Sequence, residues 1–259
     1  MTEAPQGASF VSGRGSSSQQ EQTPLNSPDE TDRPHRRIRS FVLREGRLTA
    51  AQQRALTELW ADYGIDYSPA LLDLDAVFGR TADRLLEIGF GTGDALAAYA
   101  GAHPDVDCIG VEVHRSGVGH LLLKAQAENL RNLKVICHDA VEVLEHQLPA
   151  GSLTAIHVFF PDPWPKKRHH KRRLIQPAFV ERLLRALKDG GELRLATDWQ
   201  PYAEHMLAVL QTFPALENLA GETLYVDRHS ERPITRFERR GQRLGHGVWD
   251  LAFRKHATT

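Results

Sequence analysis

The chain has 259 residues, 41% of them hydrophobic and 25% charged, with a formal net charge of −1, which fits a soluble globular enzyme and excludes a polycation. No apolar run approaches the roughly 20 residues that span a bilayer, and the polar first thirty residues lack the apolar segment of a signal peptide. Cys108 and Cys137 stand far apart in apolar, strand-like runs, so buried reduced thiols are expected in a cytoplasmic protein, with no disulfide and no metal site.

Residues 1–38 are rich in Ser, Gln, Pro, Thr and Glu. They cannot bury enough apolar surface to offset ordering entropy, so a disordered tail is expected ahead of one domain over residues 39–259. The domain begins with a basic and apolar arm, residues 39–48. Thr49-Ala-Ala-Gln52 then matches a capping box, opening a helix with Leu56, Leu59 and Trp60 on its apolar side. From residue 84 strands and helices alternate. Strands are expected at 85–88, 108–111, 133–137, 153–160 and 192–196, and helices at 94–102, 116–130 and 140–145. Ile175, Phe179 and Leu183 mark another helix, ended by Asp189-Gly190-Gly191 with Gly190 left-handed. Tyr202, Met206, Val209 and Phe213 mark the next, and strands at 222–226 and 248–253 close the chain.

Such alternation argues for a parallel sheet covered on both faces, with ligands at the carboxyl ends of its strands. Each expected strand of the repeat does end on an acid: Glu87, Glu112, Asp139, Asp162 and Asp198. Glu87-Ile-Gly-Phe-Gly-Thr-Gly93 carries Gly89, Gly91 and Gly93 at a spacing that departs from the pyrophosphate-binding loop, and its glutamate would repel phosphate. A cationic ligand without phosphates, such as S-adenosylmethionine, suits it better, and a plain strand-to-helix turn is the alternative. Glu112 lies about 20 residues further on, where nucleotide folds place an acid on ribose hydroxyls. Asp139 suits an adenine amino group, an N-cap, or both.

The densest signal follows the fourth strand. In Phe160-Pro-Asp-Pro-Trp-Pro165 three prolines stiffen a turn around Asp162, and six of the next eight residues, 166–173, are Lys or Arg. The other two are His169 and His170. A carboxylate matches the N1–H and N2 amino donors of guanine, and a cationic run beside it suits a polyanion. Further basic clusters at 36–47 and 228–243 support a nucleic-acid footprint. A methyltransferase for proteins or small molecules would leave the cations unexplained. A non-catalytic RNA-binding module would leave the acids unexplained.

These segments, with Arg232-Pro-Ile-Thr-Arg-Phe-Glu238 and the following residues to Asp250, closely resemble the bacterial tRNA (guanine-N7-)-methyltransferases. Arg39-Ser-Phe-Val42 and Leu193-Arg-Leu-Ala-Thr-Asp198 add to the likeness, which runs from about residue 39 to 255 and does not cover the tail. The resemblance implies an α/β, Rossmann-like class I methyltransferase fold, a mostly parallel doubly wound sheet with an antiparallel C-terminal strand. It implies S-adenosyl-L-methionine as cofactor, held by Glu87, the three loop glycines, Glu112, Asp139 and Asp162, with Asp162 catalytic. It implies substrate contacts from Lys166, Asp198, Thr235, Arg236, Phe237 and Glu238. RNA contacts are implied for Arg168, His169, His170, Lys171, Arg172 and Arg173. The reaction implied is methylation of guanosine N7 at position 46 of the tRNA variable loop, by a monomer or homodimer with no obligatory protein partner.

Overall fold

The computed structural model describes residues 38–42, 46–228, 238 and 247–257. The expected tail, and most of the basic segment after residue 228, lie outside them. Helices α1 (Ala50–Glu58), α2 (Trp60–Tyr63) and α3 (Leu74–Phe78) precede the repeat β1 (Arg84–Ile88), α4 (Asp94–Ala102), β2 (Asp107–Val111), α5 (Arg115–Ala127), β3 (Leu133–Ile136), α6 (Ala140–His146) and β4 (Leu153–Phe159). A 3-10 helix (Lys167–Arg172) leads to α7 (Pro177–Ala186), β5 (Leu187–Thr197), α8 (Gln200–Leu210), β6 (Leu216–Asn218) and β7 (Trp249–Lys255).

Among the described residues the sheet has seven strands in the order β3-β2-β1-β4-β5-β7-β6. Strands β1 to β5 run parallel, and β7 enters antiparallel between β5 and β6. Strand order reverses between β1 and β4, and crevices for ligands open at the carboxyl ends on either side of such a reversal. Two apolar layers fix the sheet. Leu85, Cys108, Leu133 and Val135 pack with Ala55, Leu96, Leu121 and Leu122 on one face. Leu86, Ile109, Ile136 and Val158 pack with Val143, Leu144, Phe179, Leu183 and Met206 on the other. Each such fully buried Leu, Ile, Val or Phe contributes about 1.5–3 kcal/mol relative to exposure. The strand ends are therefore anchored from both sides.

The capping box forms at Thr49: its Oγ1 accepts from the Gln52 amide at 3.2 Å, and Gln52 Oε1 accepts from the Thr49 amide at 2.9 Å. Other expectations need correction. Helix α7 ends at Ala186, with Leu187 already extended. Gly190 is left-handed, at φ 76°, but it serves a bulge: the β4–β5 register jumps from Leu153 opposite Leu187 to Ala155 opposite Glu192. The strand expected at 222–226 is instead a 3-10 turn, Gly221–Thr223, with only Val226 bridging Asp250. Positive φ at Gly221 (57°) and Leu224 (66°) prevents extension there. On the side away from β5, β7 pairs with β6, too short for a two-residue period to reveal. Cys108 is buried as expected, whereas Cys137 is only half-buried.

Candidate functional site

Sheet register sets the site. Glu87 lies in the middle of the sheet, opposite Gly110 on one side and His157 on the other. It is only 3% exposed. Burial, and secondarily the neighbouring Glu112 carboxylate, push its pKa up to about 8. A buried acid held in its neutral form for want of positive charge is suited to receive a cation.

The loop after β1 turns on Gly89, Gly91 and Gly93, all at positive φ (71°, 59° and 76°). A β-carbon on Gly89 or Gly91 would meet nothing within 4 Å, so open space lies in front of the loop. Behind it the packing is tight, since a β-carbon on Gly117 would lie 2.1 Å from the Gly91 carbonyl oxygen. Glycine at position 117 thus lets the start of α5 close against the loop. Sequence reading missed that role, because a helical glycine signals a close approach only once its neighbour is known.

Glu112, 6% exposed at the end of β2, joins the two loops. Its Oε2 accepts from the Gly91 amide at 3.0 Å. Its Oε1 accepts from the amides of Val113 and His114 at 2.7 and 3.0 Å and faces His114 Nδ1 at 2.9 Å. The other ring nitrogen of His114 lies 3.3 Å from the Val42 carbonyl oxygen. His114 is a second residue that sequence reading missed, although it stands two positions beyond a strand-end acid. Asp139 caps α6, its Oδ1 accepting from the Val141 amide at 3.0 Å. Beside it Tyr67 and His138 stack with centroids 3.7 Å apart and planes 11° from parallel. Tyr67 precedes β1 in a segment without periodicity, which hid the contact.

Phe160 donates its amide to the Ala196 carbonyl at 2.8 Å, so the turn after β4 stays beside the end of β5. Asp162 and the half-buried Asp198 therefore follow adjacent strand ends. Phe160 and Trp164 both take positive φ, 53° and 44°. Such backbone costs of order 1–3 kcal/mol per residue and persists only where surroundings over-determine it. Asp162 is exposed as a residue, while its neighbours partly desolvate the carboxylate. That desolvation raises its pKa above the ordinary carboxylate value; His114 and Arg172 oppose the shift, and Glu112 adds to it.

The basic run divides by the three-residue repeat of its 3-10 helix, in which side chains i and i+3 eclipse. His169 and Arg172 turn to Trp164: the His ring meets the indole edge-on at 5.7 Å, and the guanidinium lies 4.0 Å from the indole centroid. His170 and Arg173 turn inward and meet at 3.2 Å. Lys166, Lys167, Arg168 and Lys171 face solvent. The expectation that Arg173 contacts RNA is corrected by this packing. It is 4% exposed, donates to the Pro163 and Pro201 carbonyls at 3.0 and 3.4 Å, and lies over the Tyr202 ring. Its work is to tie the Asp162 turn to the start of α8. Of the C-terminal substrate residues, Thr235, Arg236 and Phe237 lie outside the described residues, and Glu238 is buried.

A methyltransferase family model, Methyltransf_4, matches residues 81–251. The tRNA (guanine-N(7)-)-methyltransferase of Alkalilimnicola ehrlichii is 58% identical over 85% of this chain and 93% of its own length. That of Alcanivorax borkumensis is 53% identical over 88% and 95%, and that of Sodalis glossinidius 56% identical over the same shares. Among solved structures, the antibiotic-resistance methyltransferase Kmr is 20% identical over 74% of this chain and 95% of its own, with a TM-score of 0.49.

Proposed function

Because the chain belongs to the tRNA (guanine-N(7)-)-methyltransferase family, we propose that it transfers a methyl group from S-adenosylmethionine to N7 of guanosine in tRNA, at position 46 of the variable loop. A tRNA-modifying activity supports a cytoplasmic setting. No helix among the described residues is long and apolar enough to cross a membrane. The observation that carries this reading is the turn after β4, where Asp162 is followed within a few residues by outward-facing Lys166, Lys167, Arg168 and Lys171. One short segment thus joins an acid pocket to a polyanion surface.

The residues present fit the cofactor. Open space before Gly89 and Gly91 would admit its amino-acid part, and buried Glu87 would face its cationic end. Glu112 and Asp139 would border its ribose and adenine. When bound, S-adenosylmethionine supplies an electrophilic methyl group to the lone pair already present on N7 and leaves as a thioether. The chain therefore needs neither a nucleophilic side chain nor a general base. Its contribution is alignment and electrostatics. Asp162 and Asp198 hold the donor edge of guanine and favour the positive charge that develops on the ring. Exposing N7 in a folded tRNA costs a few kcal/mol of unstacking, which phosphate contacts at the cationic face offset.

A cation favours ionised Glu87, so cofactor affinity rises with pH and levels off above about pH 8. At pH 7 calorimetry in buffers of differing ionisation enthalpy should detect net proton release on cofactor binding, abolished in Glu87→Gln. Equal heats in all buffers would remove Glu87 from cation recognition. Separately, neutralising Lys167, Arg168 and Lys171 together should weaken tRNA binding and flatten its salt dependence, by about 0.7–0.9 in log–log slope for each phosphate no longer neutralised. An unchanged slope would move the RNA path elsewhere. The reading as a whole is tested by incubating labelled S-adenosylmethionine with tRNA and mapping the modified base. Label in 7-methylguanosine supports it; label only in protein or small molecules overturns it.

A further inference from the structure

Arg172 belongs to the cationic run but commits its guanidinium to the protein. Nε donates to the Arg39 carbonyl at 3.1 Å, and Nη2 donates to the Phe41 carbonyl at 2.9 Å. The intervening Ser40 carbonyl accepts from Trp164 Nε1 at 2.8 Å, and the Val42 carbonyl faces His114 Nε2 at 3.3 Å. Four successive carbonyls of the arm are thus taken by three side chains that follow β2 and β4. His114 also faces Glu112 through its other ring nitrogen, and Trp164 stands two residues after Asp162, so the arm runs between the turns that follow β2 and β4. The indole stacked on Arg172 desolvates one face of the guanidinium and fixes its plane, which strengthens its two bonds.

We propose that Arg172 is a positioning residue. With Trp164 it clips residues 39–42 over the turns that follow β2 and β4, and the cofactor exchanges only when that clip opens. The identity of what lies beneath rests on the methyltransferase reading; the clip itself does not. A planar fork that reaches two carbonyls while stacking on an indole cannot be reproduced by an ammonium. Arg172→Lys therefore separates clip from charge, because it keeps the cation a phosphate would need.

The first readout is the rate of tryptic cleavage after Arg39, followed by mass spectrometry without cofactor or tRNA. Removing two charge-assisted hydrogen bonds should accelerate it at least about tenfold in both Arg172→Lys and Arg172→Gln. Trp164→Phe, which removes one donor and keeps a ring, should accelerate it less. The second readout is steady-state methylation. Arg172→Lys should raise the KM for S-adenosylmethionine about fivefold or more, with tRNA affinity and its salt slope near wild type. Wild-type cleavage in Arg172→Lys, with a reduced salt slope in Arg172→Gln, would make Arg172 a phosphate contact and overturn the proposal. Faster cleavage with unchanged cofactor KM would also overturn it, as a clip that governs no exchange. If the wild-type protein methylates no tRNA, the functional reading fails while the cleavage rates still judge the clip.

Discussion

Replacing Asp162 by alanine is expected to lower the single-turnover methylation rate at least about 100-fold, the scale of removing one preorganised electrostatic group from an active site. Affinity for tRNA should change little, because the cations that reach phosphate lie outside the Asp162 turn. The turn itself should survive. Its shape is held by Phe160 bonding to Ala196 and by Arg173 bonding to Pro163, neither of which uses the Asp162 carboxylate. Asp162→Asn separates charge from shape. If the carboxylate works by favouring positive charge on the purine, the amide should recover only a small part of the rate. Burial raises the Asp162 pKa and the ionised form is the active one. Wild-type activity should therefore fall as pH drops through a value above the ordinary carboxylate range. Rapid-quench kinetics with excess enzyme measure the step directly, and an unimpaired Asp162→Ala rate would remove the residue from the chemistry.

Glu112→Ala is expected to damage both stability and cofactor binding. The carboxylate accepts from three backbone amides and faces an imidazole nitrogen, and each hydrogen bond to a charged group contributes about 1.5–3 kcal/mol. These contributions do not add, since the freed amides at the loop edge regain water. A net loss of roughly 2–4 kcal/mol corresponds to a Tm lower by about 5–12 °C for a domain of this size. The cofactor effect should be larger. Without Glu112 the Gly91 amide loses its side-chain tie to the β2 turn, and a small misplacement of a binding loop can cost about 100-fold. Thermal unfolding with and without S-adenosylhomocysteine checks both parts. Glu112→Ala should lower the unliganded Tm and nearly abolish the ligand-induced rise. A normal rise would mean that the loop holds itself.

Much of this was legible from the residues. Strands β1 to β5 are apolar runs separated by helical periods, and parallel pairing brings their carboxyl ends together. That Glu87, Glu112, Asp139, Asp162 and Asp198 gather along the same edge of the sheet can therefore be read before the packing is known. The direction of individual cations was not legible. A run of Lys, Arg and His has no apolar period, so composition alone assigns all of it to solvent. Only the packed 3-10 turn shows 169 and 172 beside Trp164 and 170 and 173 turned inward, with 166, 167, 168 and 171 left outside. Trp164 and Tyr202 are the signal that could have suggested it, since aromatic faces beside an arginine-rich turn invite stacking. Long-range partners such as Tyr67 with His138, or Val42 with His114, lie in segments without a period and emerge only from the packed chain.

The central claim is that guanine N7 in tRNA is the methyl acceptor. It is tested most directly with a tRNA whose position-46 guanosine is replaced by 7-deazaguanosine, in which a C–H group stands where the attacking lone pair would be. Label from S-adenosylmethionine should enter the unmodified tRNA and fall to background in the deaza form, while both bind the protein with similar affinity. Undiminished incorporation into the 7-deaza tRNA would contradict the claim, because the methyl group would then be reaching another atom.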